Sequence, residues 1–448
     1  MLSTHSSAGG GASRHNQGAS LARVVGVPGA VFMGLGSILG AGIFLSVGIA
    51  AGVAGPSVVL AVALAAIVAA FNGLSSIQLA ASHPVSGGTY EYGYRHLNPA
   101  LGFTAGWMFL CAKSASAATA ALGFAGYLLA AFGVEGEIPR ILLGVAIVTT
   151  LTAIVAGGIR RSNWINAVIV SFTLLVLVAF VLIGAPTAIA NGGPRFLPFL
   201  ASDADGVGAL LHGTALMFVA YTGYARIATL GEEIRSPGRS IPRAILVTLI
   251  ITMILYVSVV AVSVGIIGAD GLSEATRGAA APLEAVAEQF AVPGITWLIV
   301  VAAITAMASV LLNLLLGLSR VMLAMGRRGD LPSWLARVDD RRKSPRRAVL
   351  VTGALITGLV LTGSIQTTWS FSAYTVLVYY ALTNLSALRL PSTRRLFPRI
   401  IPVFGLLSCL GLAFWVEPAV WIVGLGLTIL GLAWHLFAAS RAQRSSRR

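Results

Sequence analysis

Long apolar segments alternate with short polar connections along most of the chain. A helix of about twenty apolar residues spans the roughly 30 Å hydrocarbon core of a membrane. Several segments have this length and others approach it. The pattern therefore predicts an all-α polytopic membrane protein with twelve transmembrane helices, at residues 24–53, 56–82, 99–132, 138–158, 163–186, 206–233, 243–268, 294–325, 347–364, 368–389, 399–416 and 418–438.

The first apolar segment contains a dense group of glycines between Met33 and Ser46. Each glycine inside a helix costs about 0.5–1 kcal/mol relative to alanine. One interpretation is that the helix unwinds here and its backbone lines a cavity. The other is that the glycines only let neighbouring helices approach closely. The residues concerned are Gly34, Gly36, Gly40 and Gly42.

The sixth apolar segment has a similar interruption, in which Thr222 and Gly223 are flanked by Tyr221 and Tyr224. The two interrupted segments stand five helices apart. Because five is odd, a second group of five helices that begins with the sixth segment enters the membrane from the opposite side. Discontinuous helices in corresponding positions of inverted repeats build binding sites near the middle of a membrane. The pairing favours a substrate site over packing alone.

Composition supports a membrane protein, since 57% of the residues are hydrophobic and 10% are charged, against about 25% charged in soluble domains. The net charge of +15 does not indicate nucleic-acid binding, because the basic residues map to one side of a membrane. Cys111 and Cys409 lie in apolar segments and predict no disulfide framework. The spacing of Cys and His predicts no metal site, and we expect no cofactor.

Charge also predicts orientation. Arginines gather on alternate connections, and acidic residues gather on the others. Basic connections lie in the cytoplasm, which places both termini there, as an even number of spans also requires. We expect a multi-pass protein of the cell (inner) membrane, with the lipid bilayer as partner, a flexible cytoplasmic tail at 1–23 and a basic cytoplasmic tail at 439–448.

Several separated motifs resemble those of the amino acid–polyamine–organocation (APC) superfamily of transporters. They are the stretch from Gly36 to Phe44, the loop from Pro84 to Tyr90, Gly106-Trp107, the stretch from Ile227 to Arg243, and Ser319-Arg320 with the residues up to Pro332. The resemblance covers about residues 24–390. It implies a LeuT-type five-plus-five inverted repeat with broken helices 1 and 6, one repeat at 24–186, the other at 206–390, and two added helices at 399–438.

The resemblance implies that the broken helices bind one amino acid. Helix N–H groups carry about half a positive charge together and suit a carboxylate, which we assign to the backbone of Gly40, Ala41 and Gly42. Carbonyls at the end of each first half-helix suit the ammonium. The candidates are Ser37, Ile38, Val219 and Thr222, with Ile38 and Thr222 acting through the main chain.

Matching by family position gives the pocket for the substrate side chain. It predicts Phe109, Ala112, Lys113 and Ser116 in the third span and Val219 and Tyr221 in the sixth, with Asn313 and Tyr374 as further candidates. A cation at the centre of a membrane helix is costly and marks function by default. Lys113 therefore has three interpretations. It lies beside the substrate side chain and disfavours cationic amino acids, or it titrates as the group that couples transport to protons. The third is a structural cation paired with backbone carbonyls.

Three further features have two interpretations each. The connection 83–99 is a re-entrant segment that closes the inner path, or an amphipathic connector. The stretch 270–293 is a lid over an outer vestibule, or an ordered loop. Arg226 pairs with Glu232 or Glu233 at an inner gate, or extends toward the cytoplasmic face.

We therefore expect secondary active transport of an amino acid by alternating access, with neutral or small substrates preferred over cationic ones. An exchanger of the same fold and a non-transporting amino acid sensor are the alternatives. Paired carboxylates and nucleophile–base sets are missing from the spans, so we expect no enzyme. A proton is a candidate coupling ion, although the lysine that some proton-coupled relatives carry in the fifth helix is missing from Val170 to Thr173.

Overall fold

The computed structural model describes residues 26–83, 87–158, 163–200, 205–228, 234, 236–339 and 344–446. The predicted tail at 1–23 lies outside these ranges. Glu232 and Glu233, the expected partners of Arg226, also lie outside them. Within them the regular elements are helices, with no strand longer than an isolated bridge. They are α1 (Val27–Ile38), α2 (Ala41–Phe44), α3 (Ser46–Ala54), α4 (Val58–Ser82), α5 (Thr89–His96), α6 (Pro99–Ala130), α7 (Glu137–Ala156), α8 (Asn163–Asn191), α9 (Gly206–Tyr221), α10 (Ala225–Ala228), α11 (Pro237–Arg277), α12 (Pro282–Ala287), α13 (Ile295–Arg328), α14 (Arg346–Val360), α15 (Ile365–Leu388), α16 (Ile400–Phe414) and α17 (Pro418–Ser446).

By length and apolar composition, eight helical stretches of the described residues could each cross a membrane. One of them, Ala41–Ser82, contains 42 residues, about enough for two crossings. A tight turn at Gly55, whose φ is +60°, joins α3 to α4 inside it. The apolar helices α1 and α16 are shorter, with 12 and 15 residues. The chain is thus a polytopic helical protein, and twelve spans remain a prediction.

The outside of the bundle is apolar and its centre is lined by small residues. On α8, Leu175 and Leu182 are each 69% exposed and Ile189 is 82% exposed, which suits a surface in contact with lipid. By contrast, α6 is buried along most of its length between Gly102 and Tyr127. Its many Ala, Gly and Ser residues let neighbouring backbones approach. It packs along α13 and α15.

The first apolar segment is broken between α1 and α2. Leu39 is extended, with φ −71° and ψ 108°, and α2 begins at Ala41. The glycines around the break also bring neighbours close: a Cβ atom on Gly42 would lie 2.9 Å from the Cβ of Ala220, and one on Gly40 would lie 2.7 Å from Val310. Both interpretations of these glycines therefore apply, because the same short stretch unwinds and packs tightly.

The interruption in the sixth segment has a different form. After Tyr221 the chain makes one 3₁₀ turn, Thr222–Tyr224, and α10 follows at once. No extended residue separates the two halves, in contrast to Leu39. A Cβ on Gly223 would collide with the Ser37 carbonyl, so this glycine lets the two interruptions touch.

The bundle has two ends. We call the end that holds Val27, Pro99 and Arg328 the proximal end, and the end that holds Ala54, Ala130 and Glu137 the distal end. Two contacts illustrate the distal end. Arg140 donates to the Gly278 carbonyl at 3.0 Å, and Gln366 donates to Glu417 at 3.1 Å.

The stretch predicted as a lid or an ordered loop lies at the distal end. The helix α11 bends at Gly268, where φ is +76° and ψ is 170°, and this is the residue at which the predicted seventh span ends. The chain then continues to Arg277 and into the short α12. Tyr127 holds α12 in place, since its hydroxyl accepts from the Leu283 N–H at 3.2 Å and donates to the Phe44 carbonyl at 2.8 Å.

Candidate substrate site

A small cavity lies where the two interruptions meet. Its volume is about 40 Å³, and a water needs at least about 10–15 Å³ of such space. Eight of the residues predicted from the sequence line it. These are Ser37, Ile38, Ala41, Gly42, Lys113, Ser116, Val219 and Thr222, joined by Ala220, Gly223, Val310, Leu314 and Trp369.

The start of α2 supplies backbone donors to this cavity. The first hydrogen bonds of the new helical stretch run from the N–H groups of Ile43 and Phe44 to the Gly40 carbonyl, both at 3.1 Å. The N–H groups of Ala41 and Gly42 come before these bonds, as the first donors of a helix do. They therefore occupy the position at which an anion is stabilised.

Tyrosine hydroxyls cover the carbonyls that were expected to hold an ammonium. The Ile38 carbonyl accepts from Tyr256 at 3.0 Å, and the Thr222 carbonyl accepts from Tyr380 at 3.4 Å. Each carbonyl oxygen has two lone pairs, so the Ile38 carbonyl can accept another bond, whereas the Thr222 carbonyl also accepts from the Ala225 N–H. Sequence alone does not point to Tyr256 and Tyr380, because a tyrosine inside an apolar helix gives no signal of which carbonyl it reaches.

Lys113 connects α6 to the interruption in the sixth segment. Its side chain is buried, with 9% of its surface exposed, and its Nζ donates to the Thr222 hydroxyl at 2.8 Å. That hydroxyl donates in turn to the Val219 carbonyl at 2.7 Å. Among the described residues no carboxylate lies within 4 Å of Nζ. The cation is therefore held by a hydroxyl at the wall of the cavity.

The remaining predicted residues are outside the cavity lining. Tyr221 points toward α4, where its hydroxyl donates to the Val62 carbonyl at 3.2 Å. The Ala112 carbonyl accepts from Ser372 at 2.9 Å, and the Phe109 ring packs on Tyr379 with centroids 5.4 Å apart. Phe109 shares one face of α6 with Lys113 and Ser116 but lies four residues, about 6 Å, nearer the proximal end than Lys113. Tyr221 lies between the lining residues Ala220 and Thr222 and points about 100° away from each of them.

Three other candidates, Gly40, Asn313 and Tyr374, are also not part of the cavity lining. Gly40 packs against Val310. Asn313 donates to the Gly36 carbonyl at 3.4 Å and thereby supports the end of α1. Tyr374 lies against Gly424 on α17, at the periphery. Within the described residues no group of three or more His, Cys, Asp or Glu side chains could hold a metal ion.

At the proximal end of the bundle lies α5, which is part of the 83–99 connection and packs against α6 and α15. The hydroxyls of Tyr90 and Tyr94 donate to Asp330 at 2.6 and 2.7 Å. Arg328 forms an ion pair with Glu91 at 2.6 Å. This connection therefore packs onto the proximal ends of α6 and α13, and both of its interpretations stay predictions. On the distal side of the cavity Trp369 donates to the Leu216 carbonyl at 2.9 Å.

Comparison with known proteins assigns the family. A sequence profile described as amino acid permease matches residues 29–444. The chain belongs to the amino acid permease family. This match covers both interruptions and the cavity, confirms the superfamily resemblance and supports amino acid transport across a membrane.

Individual relatives of this permease are transporters. It is 42% identical over 425 residues to an uncharacterized transporter of Mycobacterium tuberculosis, a match covering 94% of this chain and 92% of the relative. It is 28% identical to a branched-chain amino acid permease of Bacillus subtilis, over 73% of this chain and 72% of that protein. A mitochondrial cationic amino acid transporter of Arabidopsis thaliana is 27% identical, over 78% and 59% respectively.

Proposed function

We propose that this permease carries a small neutral amino acid across the membrane by secondary active transport with alternating access. The observation that supports this most is the cavity at the meeting point of the two interruptions. It combines backbone N–H groups of Ala41 and Gly42 with the buried cation of Lys113 and the hydroxyls of Ser116 and Thr222. A zwitterion needs such paired donors and acceptors at a site with little water.

In this proposal the break in the first segment binds the amino acid head. The substrate carboxylate accepts from the N–H groups at the start of α2, with Gly40 allowing the chain to turn into that position. The ammonium donates to the carbonyls at Ser37 and Ile38, and to those at Val219 and Thr222 in exchange for one of the two hydrogen bonds that each already accepts. These contacts recognise only the head, so the amino acid side chain is selected by the rest of the wall.

Lys113 and the size of the cavity favour small neutral side chains. A cationic side chain placed in this cavity would face the lysine ammonium, and like charges in close contact cost several kcal/mol. The volume of about 40 Å³ leaves little room beyond the head group. The branched-chain permease shares the neutral substrate class of this proposal, whereas the cationic transporter does not.

The topology belongs to the same proposal. Twelve spans, two inverted repeats at 24–186 and 206–390, and both termini in the cytoplasm would place the two interruptions in corresponding positions. Alternating access would then open the distal and proximal sides of the cavity in turn. The packing of α5 against Asp330 supports a closed proximal side in the present conformation.

The test is uptake of radiolabelled amino acids into proteoliposomes, with and without a pH gradient and with and without internal substrate. We expect uptake of L-alanine or L-valine above protein-free liposomes. Stimulation by a pH gradient would indicate proton coupling, and a requirement for internal substrate would indicate exchange. Binding without uptake under every condition would identify a sensor and overturn the transport proposal.

A matched pair of glycine variants tests the head-group site. Gly42→Leu places a side chain where a Cβ already lies 2.9 Å from Ala220 and 3.2 Å from the Tyr256 hydroxyl, so binding should fall to background. Gly317→Leu is the control, because a Cβ there meets no atom within 4 Å. Both variants should insert and remain monodisperse in detergent. Unchanged affinity in Gly42→Leu would remove the carboxylate assignment.

A further inference from the structure

A second and larger cavity lies at the distal end of the bundle. Its volume is about 260 Å³, and its wall is formed by parts of α3, α7, α11 and α15. The polar groups that matter for its chemistry are Arg140, Arg277, Glu137, Ser273 and Gln366. Two arginines and one glutamate give this wall a formal charge of +1.

The two guanidinium groups retain donors that the described part of the protein does not use. Arg277 donates to the Ser273 hydroxyl at 2.9 Å, and Arg140 donates to the Gly278 carbonyl at 3.0 Å. Neither forms an ion pair within 4 Å among the described residues, and the Arg140 Nε is buried there without a hydrogen-bond partner. A guanidinium has five N–H donors, so several remain for a ligand.

Glycines hold the charged side chains at the cavity wall. A Cβ on Gly52 would lie 3.5 Å from the Arg277 Nη2 and would collide with Ser273. Gly363 has φ +68° and a Cβ there would collide with the Glu137 carboxylate. The main chain of α3 and of the turn before α15 therefore approaches the arginines and the glutamate directly. The cavity is a built polar site rather than a gap between apolar side chains.

The distal cavity lies on the distal side of the central one. Both cavities are lined by the first segment, through α2 or α3, and by α15. Gly48 on α3 lines the distal cavity and Gly42 on α2 the central one, and six residues correspond to about 9 Å at the rise of a helix. Ile365 and Trp369 are related in the same way on α15, at about 6 Å. Along both stretches the two linings are therefore separated by less than about 10 Å.

We propose that the distal cavity is a vestibule site that binds the head group of a zwitterionic amino acid before it enters the central cavity. Arg140 and Arg277 take the carboxylate, because a guanidinium forms paired hydrogen bonds to carboxylate oxygens. Glu137 takes the ammonium. The choice of an amino acid as ligand rests on the proposed transport function, whereas the affinity for a carboxylate rests on the cavity alone.

The test uses the wild-type protein and phenylglyoxal, which modifies accessible arginines, with modification of each residue measured by mass spectrometry. The probes are L-alanine, ethylamine as its analogue without a carboxylate, acetate, and inorganic phosphate. Arg195 is the internal control, because it also lies at the distal end and donates to a backbone carbonyl, that of Gly265 at 2.9 Å, but does not line the cavity.

L-Alanine and acetate should protect Arg140 and Arg277, and neither should protect Arg195. At ten times the dissociation constant the labelling rate should fall about tenfold, because only free sites react. The proposal is overturned if L-alanine gives no protection, if ethylamine protects equally, or if phosphate protects better than both carboxylates. Uptake measured on the same preparation separates the two proposals: transport without protection overturns only the vestibule site, and protection without transport overturns only the transport function.

Discussion

Lys113 shows how much a single side chain adds once its neighbours are known. Sequence alone placed a cation near the middle of an apolar helix and left three interpretations. The contact from Nζ to the Thr222 hydroxyl at 2.8 Å attaches this cation to the interruption in the sixth segment. Because that hydroxyl continues to the Val219 carbonyl, a structural role and a role beside the substrate are served by the same geometry. The two roles predict different substrate preferences when the charge of Lys113 is removed.

Lys113→Met should relax selection against cationic amino acids. The variant keeps the length of the side chain and removes its charge, so L-ornithine and L-lysine should inhibit L-alanine uptake about tenfold more strongly, because 1.4 kcal/mol of relieved repulsion is tenfold in affinity. Inhibition constants in proteoliposomes measure this. Lys113→Arg, which keeps the charge, should preserve the preference. If transport, pH dependence and substrate preference are all unchanged in Lys113→Met, the lysine is a packing residue.

Among the elements, the short helix α12 at the distal end is fixed by contacts with the first segment. It is tied through Tyr127 to Phe44 on α2, so its position depends on the second half of the broken first segment. Its Glu284 is buried, and one carboxylate oxygen has no hydrogen-bond partner in the described part of the chain. Burial and the neighbouring Glu288 raise the pKa of Glu284 to about 7.

This pKa predicts the pH dependence of stability. The folded protein binds the Glu284 proton more tightly than the unfolded chain, in which the pKa is near 4.5. The contribution of the Glu284 proton to the free energy of unfolding should therefore be fully present below pH 4.5 and be lost as the pH rises through 7. The apparent melting temperature in detergent should fall between pH 5 and pH 8.

Glu284→Gln should flatten this dependence, because the group that titrates has been removed. Glu135→Gln, at an exposed position of the same end, controls for the loss of one negative charge. A wild-type melting temperature that is level or rises over this pH range would contradict the assignment. So would a Glu284→Gln profile with the slope of the wild type.

At the scale of the whole molecule, the bundle has a proximal end tied by polar contacts and a distal end with a large polar cavity. The proximal end carries the contacts of Asp330 with Tyr90 and Tyr94 and the pair of Arg328 with Glu91. The distal end carries the cavity of about 260 Å³. If the proximal end faces the cytoplasm, as the charge pattern predicts, the contacts of Asp330 and Arg328 lie on the inside.

Cysteine labelling checks this orientation. In a background with Cys111 and Cys409 replaced by serine, Val134→Cys should react with a membrane-impermeant maleimide on intact cells, because it lies at the distal end and is 44% exposed. Ser333→Cys, at the exposed proximal end, should react only after permeabilisation. Labelling in the reverse order would contradict the predicted orientation, and labelling of both from one side would contradict the crossing of the bundle.

By itself, the sequence determined the helical membrane class, the family and the place of both interruptions. These depend on segment length, polarity and local glycine content, which act between residues close together in the chain. It also selected Ser37, Lys113 and Thr222, because the family motifs fix their positions. Only the tertiary structure decided that Tyr221 points toward α4, that Phe109 lies outside the cavity lining, and that Tyr256 and Tyr380 cover carbonyls of the cavity. Such contacts join residues far apart in sequence, and hydrophobic periodicity does not specify which side chains of two packed helices meet.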